Sequence, residues 1–328
     1  MKKKLVSALL SAVMVVGLLV GCGSKEVGVE GAEVPEEKTK YVIGMSQCNN
    51  NEPWRVAMKD QIKAAAAEHP EFEVVFADAG QDNSKQIADI ENFIQQDVDL
   101  LIASPNEATP LTNVIKEAYD EGIPVILLDR KIDGDSYTQF IGADNVEIGR
   151  ICGEYIATEL LPDGGKICEI KGLEGTSGGI DRDAGFREGI KVNPKCEIIA
   201  VNNADWLREK AITIAEEMLQ VHDDIDLIFA LNDPMAEGAY IAAKNADREK
   251  DILFAGVDGL PTPDGGLKSV IEGRLNLSMV YPTGGKEAIE SAYKLLVEGK
   301  ELEKIITLES EIVSPETAPE LLKKYGGQ

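Results

Sequence analysis

Several short apolar segments of this chain end in side chains that can bind hydroxyl groups. They are Asp129-Arg130, Asp144-Asn145, Asn232-Asp233 and Asp258, each placed directly after an apolar run. A carboxylate accepts hydrogen bonds and a guanidinium donates them in a fixed fork, so together these groups can bind two adjacent hydroxyls. Asp and Asn also form turns and helix caps, which is the alternative at any single position. Because four segments share the pattern, we expect one polar binding site.

The two tryptophans of the chain support the same expectation. Trp54 and Trp206 each lie in a polar loop that follows an apolar run. An indole has apolar faces and one N–H donor. A sugar suits that combination, because its C–H faces stack on rings while its hydroxyls form hydrogen bonds. The alternative is that both indoles only fill space in the core or at the surface.

The elements that position these residues alternate between strand and helix. From residue 40 onward, short apolar runs of strand length alternate with amphipathic stretches of helix length. This order is typical of βαβ units with a parallel sheet, and ligands bind at the carboxyl ends of such strands. Ser84 and Asn145 are predicted to cap the helices that they precede. Two similar runs of βα units, which open at Tyr41 and Lys166, predict an α/β fold of two doubly wound parallel-sheet lobes.

Length and charge limit the possible functions. The chain has 328 residues, more than one core usually holds, and a net charge of −25. A strongly acidic protein repels nucleic acid and anionic lipid headgroups, so we expect no nucleic-acid partner. His69 and His222 each close a predicted helix, where the helix dipole favours a cation, and this leaves no histidine for catalysis or for a metal. No metal and no cofactor are expected.

The cysteines beyond the N-terminal region lack the spacing of a metal site or a redox motif. They are Cys48, Cys152, Cys168 and Cys196. Buried free thiols are the favoured interpretation. A Cys168–Cys196 disulfide is the alternative in an oxidising compartment.

The N-terminus has the pattern of a secretory signal. Three lysines precede an uncharged, mostly apolar run from Leu5 to Gly21, and such a pattern directs export. The run ends in Leu19-Val20-Gly21-Cys22, which matches a bacterial lipobox. We therefore expect residues 1–21 to be a cleaved lipoprotein signal peptide, Cys22 to carry a lipid that anchors the protein outside the cytoplasm, and residues 22–39 to be a flexible tether. An ordinary cleaved signal and an uncleaved anchor are the alternatives.

Three further motifs are weak indications of other chemistry. The segment Gly172–Gly179 is similar to a phosphate-binding loop but lacks its Gly-Lys-Ser/Thr ending, so a glycine-rich βα turn near the site is favoured. The segment Asp133–Asp135 is too short for a calcium loop. Ser177 lacks the Gly-x-Ser-x-Gly context of a hydrolase nucleophile, so no hydrolase triad is expected. A binding protein without catalysis, not an enzyme, is the favoured interpretation. An enzyme acting on sugars is the alternative, because two carboxylates suffice for glycoside hydrolysis.

Several motifs, in order along the chain, resemble those of type I periplasmic binding proteins of the ribose/galactose-binding family. They are Ser46-Gln47, Pro53-Trp54-Arg55, Pro124–Arg130, Gly142–Asn145, Gly179–Phe186, Asn232-Asp233 and Val257–Gly259. The resemblance spans Lys40 to about Ser314, and it is strongest to the ribose- and galactofuranose-binding proteins of sugar ABC importers. There are two departures from the ribose type: Val280 replaces a glutamine, and the loop Cys48–Glu52 is longer.

The resemblance implies roles for individual residues. The tryptophans stand at the stacking aromatics of the two lobes, and Arg55 follows Trp54 as in the galactofuranose type. The strand-end carboxylates, amides and arginines would hold the sugar hydroxyls. The full set of expected ligand-binding residues is Glu52, Trp54, Arg55, Asp129, Arg130, Asp144, Asn145, Arg182, Trp206, Asn232, Asp258 and Tyr281.

The resemblance also implies the domain organisation and the function. The N-terminal lobe would comprise residues 40–143 plus 282–309 and the C-terminal lobe residues 144–281 plus 310–328, joined by a three-segment hinge. Closure of the lobes would capture a monosaccharide, a pentose or a hexose, for an ABC permease with its ATPase. Presentation of the sugar to a sensor kinase or chemoreceptor is the alternative. A monomer held at the membrane through Cys22 is expected.

Overall fold

The computed structural model describes residues 40–326. The predicted signal peptide, the tether at residues 22–39 and the predicted lipid site Cys22 lie outside the described residues. Within residues 40–326, no helix combines the length and the apolar character that a membrane crossing requires.

The strands of the described region form three sheets. They are β1 (Tyr41–Gln47), β2 (Phe72–Asp78), β3 (Leu100–Ser104), β4 (Val125–Leu128), β5 (Gln139–Ala143), β6 (Gly165–Lys171), β7 (Cys196–Asn203), β8 (Leu227–Ala230), β9 (Leu253–Ala255), β10 (Ser278–Val280), β11 (Ile305–Leu308) and β12 (Glu311–Val313). The first sheet has the order β11-β5-β4-β3-β1-β2 and the second the order β7-β6-β8-β9. Both are parallel throughout, whereas β10 and β12 form an antiparallel pair.

Helices follow most of the strands and cover the sheets. They are α1 (Pro53–Ala67), α2 (Asn83–Gln95), α3 (Ala108–Asp120), α4 (Asn145–Tyr155), α5 (Ser177–Gly189), α6 (Arg208–Val221), α7 (Asp233–Asn245), α8 (Gly266–Ile271), α9 (Gly285–Leu296) and α10 (Ala318–Tyr325). A π-helical turn, Ile156–Leu160, continues α4, and a 3₁₀ turn, Ile190–Val192, continues α5. The predicted α/β fold with two doubly wound parallel sheets is confirmed.

The central strands are buried because helices pack on both faces of each parallel sheet. Every residue of β3, β4 and β8 is buried. Successive side chains of β3 enter opposite cores: Ile102 belongs to the larger hydrophobic cluster, while Leu101 and Ala103 belong to the smaller one. This alternation follows from the two-residue period of a strand. In the first sheet the order of strands reverses between β1 and β3, and in the second sheet it reverses between β6 and β8. At such a point the carboxyl ends of the strands leave a crevice where a ligand can bind.

Glycines allow α4 and α5 to pack at backbone distance. A Cβ atom on Gly149 would lie 2.1 Å from the carbonyl oxygen of Arg182, and one on Gly185 would lie 1.9 Å from that of Val146. No side chain fits at such distances, so the crossing depends on glycine at both positions. The close approach brings Asn145, at the start of α4, next to Arg182 of α5.

Two of the helix-cap predictions are wrong. Asp82, not Ser84, caps α2: its side chain accepts hydrogen bonds from the backbone N–H groups of Ser84 and Lys85 at 2.8 and 3.2 Å. Asp144, not Asn145, caps α4 by accepting from the N–H of Glu147 at 3.1 Å. In both cases a carboxylate on an extended residue reaches the free donors of the first helical turn.

Short or irregular elements escaped the sequence pattern. The strand β12 and the helices α8 and α10 were not predicted, because three to eight residues carry little periodicity. The cysteines at positions 48, 152, 168 and 196 are free thiols, so Cys168 and Cys196 are not bridged.

Candidate ligand-binding site

A cavity lies at the carboxyl ends of the parallel strands, with walls from both sheets. Its lining residues are Glu52, Trp54, Arg55, Asp129, Arg130, Gly178, Arg182, Trp206, Asn232, Asp258 and Tyr281. About 360 Å³ between these residues is free of atoms, part of it open to solvent.

Each wall residue follows the end of a strand or lies on a helix that does. Trp54 and Arg55 open α1 after β1, and Asp129 and Arg130 follow β4. Arg182 lies on α5 after β6. Trp206, Asn232, Asp258 and Tyr281 follow β7, β8, β9 and β10, respectively. The parallel topology therefore gathers residues that are distant in sequence.

On the side of the first sheet, Asp129 is held by several donors. Arg55 donates to its Oδ2 at 2.7 Å, and the hydroxyl of Tyr281 donates to its Oδ1 at 2.5 Å. Arg55 also donates to Ser104 Oγ at 2.9 Å. Arg130 Nε lies 3.8 Å from Asp129 Oδ2, and Arg130 Nη1 donates to the carbonyl oxygen of Asn106. Burial alone would raise the pKa of Asp129. The guanidinium groups and the tyrosine bond outweigh burial and lower its pKa below the ordinary value.

On the side of the second sheet, Arg182 is fixed by Asn145. Its Nε and Nη2 donate to Asn145 Oδ1 at 3.1 and 2.6 Å, and its Nη1 donates to the carbonyl of Leu231 at the end of β8. Asn232 accepts from the N–H of Met235 and thereby caps α7, and its Nδ2 donates to the carbonyl of Trp206 at 3.3 Å. These bonds position both side chains at the cavity wall.

Asp258 differs from the other buried carboxylates of the cavity. Its side chain is 6% exposed, and within residues 40–326 no group donates a hydrogen bond to it. Burial, the nearby charge of Asp233 and that of Glu52 raise the pKa of Asp258 well above its ordinary value. The charges of Arg182 and Arg55 oppose this increase. Asp233 is itself buried, which raises its pKa, although Ser278 and the N–H of Gly259 donate to it.

Aromatic rings form two walls of the cavity. Trp54 and Tyr281 stack with centroids 5.0 Å apart, and Trp54 Nε1 donates to the carbonyl of Tyr281 at 2.8 Å. The indole of Trp206 lies against Gly172, where a Cβ would come within 2.1 Å of its Cε2 atom. The glycine-rich segment after β6 thus provides the surface on which this indole rests. Trp206 Nε1 and Arg55 Nε are buried donors with no acceptor in the described part of the chain.

Three wall residues have backbone conformations that are rare for residues other than glycine. The φ angles of Asp129, Trp206 and Asp258 are +69°, +70° and +151°. Such conformations cost roughly 1–3 kcal/mol each and persist where the surrounding structure enforces them, often at binding sites. All three residues follow strand ends, so the strain is concentrated at the rim of the crevice.

Ten of the twelve expected ligand-binding residues line the cavity; Asp144 and Asn145 do not. Asp144 is exposed and serves as the cap of α4, so we no longer expect it to bind ligand. Asn145 is buried behind the wall, where it contacts Arg182 and Tyr281. Gly178 lines the cavity without having been singled out as a binding residue. The glycine-rich turn was the signal for it.

The rim of the cavity carries contacts between the two lobes, meaning the parts built on the first and the second sheet. Lys131 donates through its backbone N–H to Ser177 Oγ at 2.9 Å and pairs through Nζ with Asp181 at 3.1 Å. The N–H of Ala108 donates to the carbonyl of Gly175 at 3.2 Å. Both sets of contacts cross the mouth of the crevice, so the structure is that of a closed cleft.

Residues 43–301 match the family described as periplasmic binding protein domain. The chain belongs to this family. It is 32% identical to the ribose import binding protein RbsB of Bacillus subtilis (strain 168) over 93% of this chain and 97% of the relative. It is 33% identical to the galactofuranose-binding protein YtfQ of Escherichia coli (strain K12), over 86% and 90% of the two chains. The resemblance inferred from the motifs is confirmed.

A solved structure of the family has the same fold. The fructose-binding periplasmic domain of a hybrid two-component system is 40% identical, with a TM-score of 0.84 over 88% of this chain and 95% of that chain. No group of His, Cys, Asp or Glu side chains in residues 40–326 is arranged to hold a metal ion.

Proposed function

We propose that this chain is the extracytoplasmic sugar-binding component of an ABC importer and that its ligand is a monosaccharide. The observation that carries the proposal is the composition of one small cavity. Two indoles, three guanidinium groups and an unpaired carboxylate converge on it. Stacking surfaces beside dense hydrogen-bonding groups suit a small polyhydroxylated ring. The ribose- and galactofuranose-binding names of two relatives support the same ligand class.

The roles divide among the wall residues. Trp54 and Trp206 would stack on the faces of the sugar ring. Asp258 would accept from its hydroxyls, while Arg130 and Arg182 would donate to its oxygens. A site built around such hydroxyls rejects analogues that lack them, because buried polar groups are then left unpaired. The function is binding without chemical conversion of the sugar.

Capture would occur by closure of the two lobes about the three-segment hinge that joins them. We propose that the lobes comprise residues 40–143 plus 282–309 and residues 144–281 plus 310–328. Contacts such as that between Lys131 and Asp181 exist only when the crevice is shut, so a ligand that bridges both walls favours the closed state. The closed form would then be recognised by the permease.

A titration of intrinsic fluorescence tests the ligand class. Trp54 and Trp206 are the only tryptophans, and both line the cavity. We expect a saturable change with one or two members of a panel of ribose, arabinose, galactose, glucose and fructose, with matching heat in calorimetry. Trp206→Ala should lose most of the affinity, while the exposed control Tyr119→Ala should bind normally. A folded protein that responds to no sugar by either method would refute the proposal.

The proposed location includes a lipid anchor at Cys22. In cells fed a labelled fatty acid, the wild-type chain should incorporate label and fractionate with membranes. Cys22→Ala should do neither. Normal labelling of that variant would refute the lipid site without affecting the ligand proposal.

A second candidate is a sensor that presents sugar to a membrane receptor. It is favoured by the 40% identity to the periplasmic domain of a hybrid two-component system. Deletion of the gene distinguishes the two functions. Loss of sugar uptake supports the importer, whereas normal uptake with loss of a sugar-induced transcriptional response supports the sensor.

A further inference from the structure

Asp233, at the start of α7, is hydrogen-bonded to both neighbours of Asp258. Its backbone N–H donates to the carbonyl oxygen of Val257 at 2.7 Å, and its Oδ2 accepts from the N–H of Gly259 at 2.8 Å. The residue between these two bonds, Asp258, has a φ angle of +151°. A residue other than glycine keeps such an angle only where its surroundings enforce it. Asp233 therefore supports the strained segment that carries Asp258.

The carboxylate of Asp233 is itself held in one place. The hydroxyl of Ser278, on β10, donates to it, with distances of 2.7 and 2.9 Å to Oδ1 and Oδ2. A Cβ atom on Gly256 would lie 2.4 Å from Oδ1, and one on Gly266 would lie 1.9 Å from Oδ2, so only glycine leaves room for the carboxylate. Asn232 caps α7, which leaves the side chain of Asp233 available for the bond to Gly259.

Asp233 reaches the cavity only through Asp258. Asp258 lines the cavity, whereas Asp233 is 3% exposed and does not. Burial raises the pKa of Asp233 to about 7, and its charge contributes to the raised pKa of Asp258. The thiol of Cys152, on α4, also faces Asp233 and is uncharged, because burial raises its pKa to about 12. The other charged groups that act on the two carboxylates are Arg182, Glu237, Arg55 and Glu52.

We infer that Asp233 is a positioning residue of the ligand site, which holds Asp258 in the backbone conformation that presents its carboxylate to the cavity. The inference rests on the proposed sugar-binding function, in which Asp258 accepts hydrogen bonds from ligand hydroxyls. Asp233 touches no ligand in this arrangement. It acts through the bonds on either side of Asp258 and through its charge.

Two substitutions of Asp233 separate its bonds from its charge. Asp233→Ala removes the acceptor for Gly259 N–H, so affinity should fall by about tenfold, the worth of one hydrogen bond to a charged group. Asp233→Asn keeps an acceptor oxygen for Gly259 and an amide that can donate to Ser278 Oγ. Its affinity at about pH 8 should stay within about threefold of the wild type. Calorimetry with D-ribose, D-galactose and D-fructose measures these values, after circular dichroism has shown that each variant is folded.

The pH dependence of binding gives a readout that a merely structural role would not move. Asp233→Asn removes a negative charge beside Asp258, so the pKa of Asp258 in the unliganded protein should fall. The loss of affinity on acidification should therefore begin at a lower pH than in the wild type. An unchanged pH profile, or an Asp233→Asn protein as weak as Asp233→Ala, would overturn the inference.

Asp226→Ala is the matched control. The carboxylate of Asp226 also accepts from a backbone N–H, that of Lys166 at 2.7 Å, but it precedes β8 at the end of the second sheet opposite the cavity. This variant should bind with wild-type affinity and with the wild-type pH profile. An equal loss of affinity in Asp226→Ala and Asp233→Ala would overturn the inference, since any lost backbone bond in this lobe would then have the same effect.

A crystal structure of unliganded Asp233→Ala tests the positioning independently of the ligand. We expect the φ angle of Asp258 to relax from +151° and its carboxylate to leave the cavity wall. An Asp258 that keeps its backbone conformation and its place would overturn the inference, whatever the ligand is. If the wild-type protein bound no sugar while Asp258 moved in this variant, the proposed function would fail and the positioning role would stand.

Discussion

Asp129 and Asp258 occupy corresponding positions in the two halves of the cavity but differ in their surroundings. Each follows a parallel strand, each has a positive φ angle, and each is buried, with 7% and 6% exposure. Asp129 is bound by Arg55 and Tyr281, and these contacts lower its pKa. Asp258 receives no hydrogen bond from the described residues, and burial beside Asp233 raises its pKa.

Under the proposed function, the difference separates a carboxylate that chiefly stabilises the protein from one whose acceptor atoms would all serve the ligand. A buried carboxylate with ideal partners contributes to the folded state, whereas one without partners costs stability that a ligand can restore. Removal of each in turn should therefore have opposite consequences for folding and for binding.

The largest effect is expected from Asp129→Asn. The substitution leaves the Arg55 guanidinium buried without its counter-charge, which costs about 3 kcal/mol of the free energy of unfolding. Denaturant unfolding monitored by circular dichroism measures the loss. The same substitution at the exposed Asp251 is the control and should be neutral within about 0.5 kcal/mol. A stable Asp129→Asn protein with weakened binding would show that Asp129 is also kept for the ligand.

Asp258→Asn should weaken ligand binding without reducing the stability of the fold. The amide keeps one acceptor oxygen but loses the charge that strengthens hydrogen bonds from ligand hydroxyls, so affinity should fall about 100-fold, or about 2.7 kcal/mol. Because an unpaired buried carboxylate is removed, the free energy of unfolding without ligand should not decrease. Calorimetry and denaturation of the same preparation measure both quantities. Loss of stability comparable to that of Asp129→Asn would erase the distinction between the two residues.

The sequence was sufficient to predict that both carboxylates lie at one crevice, because parallel strands bring their carboxyl ends to one edge. It could not predict their inequality. Asp129 is bound by Arg55, which lies 74 positions away, and by Tyr281, which lies 152 positions away. Such partnerships depend on side-chain directions that a strand-and-helix pattern does not contain.

Asp144 and Asn145 show the same limit over a distance of one residue. Both were expected to bind ligand, since both follow β5 directly. Their roles differ because α4 begins between them. Asp144 caps α4 by directing its carboxylate to a free N–H group of the first turn, and it is exposed. Asn145, the first residue of α4, is buried. It accepts a hydrogen bond from Arg182 of α5, which the glycines of the α4–α5 crossing bring close.

The pH dependence of affinity should distinguish the two carboxylates more finely. Under the proposed function, ligand hydroxyls would donate to the ionised form of Asp258, so binding would lower its raised pKa and release a proton. Affinity should consequently fall as the pH is lowered through the raised pKa of Asp258 in the unliganded protein. Asp129 is ionised across this range because its pKa is lowered, and it should contribute no dependence. Calorimetry at several pH values measures the effect, and Asp258→Asn should abolish it. A slope that persists in Asp258→Asn would assign it to another group.

The smallest effect is expected at the rim, where Lys131 pairs with Asp181. Both side chains are partly exposed, at 51% and 30%, so solvent and salt weaken the pair. Lys131→Ala also keeps the backbone hydrogen bond from position 131 to Ser177 Oγ. We therefore expect the affinity to fall by at most about fivefold, less at high salt, with no change in the pH dependence. A loss as large as that of Asp258→Asn would mean that closure at the rim, not the free carboxylate, dominates the binding energy.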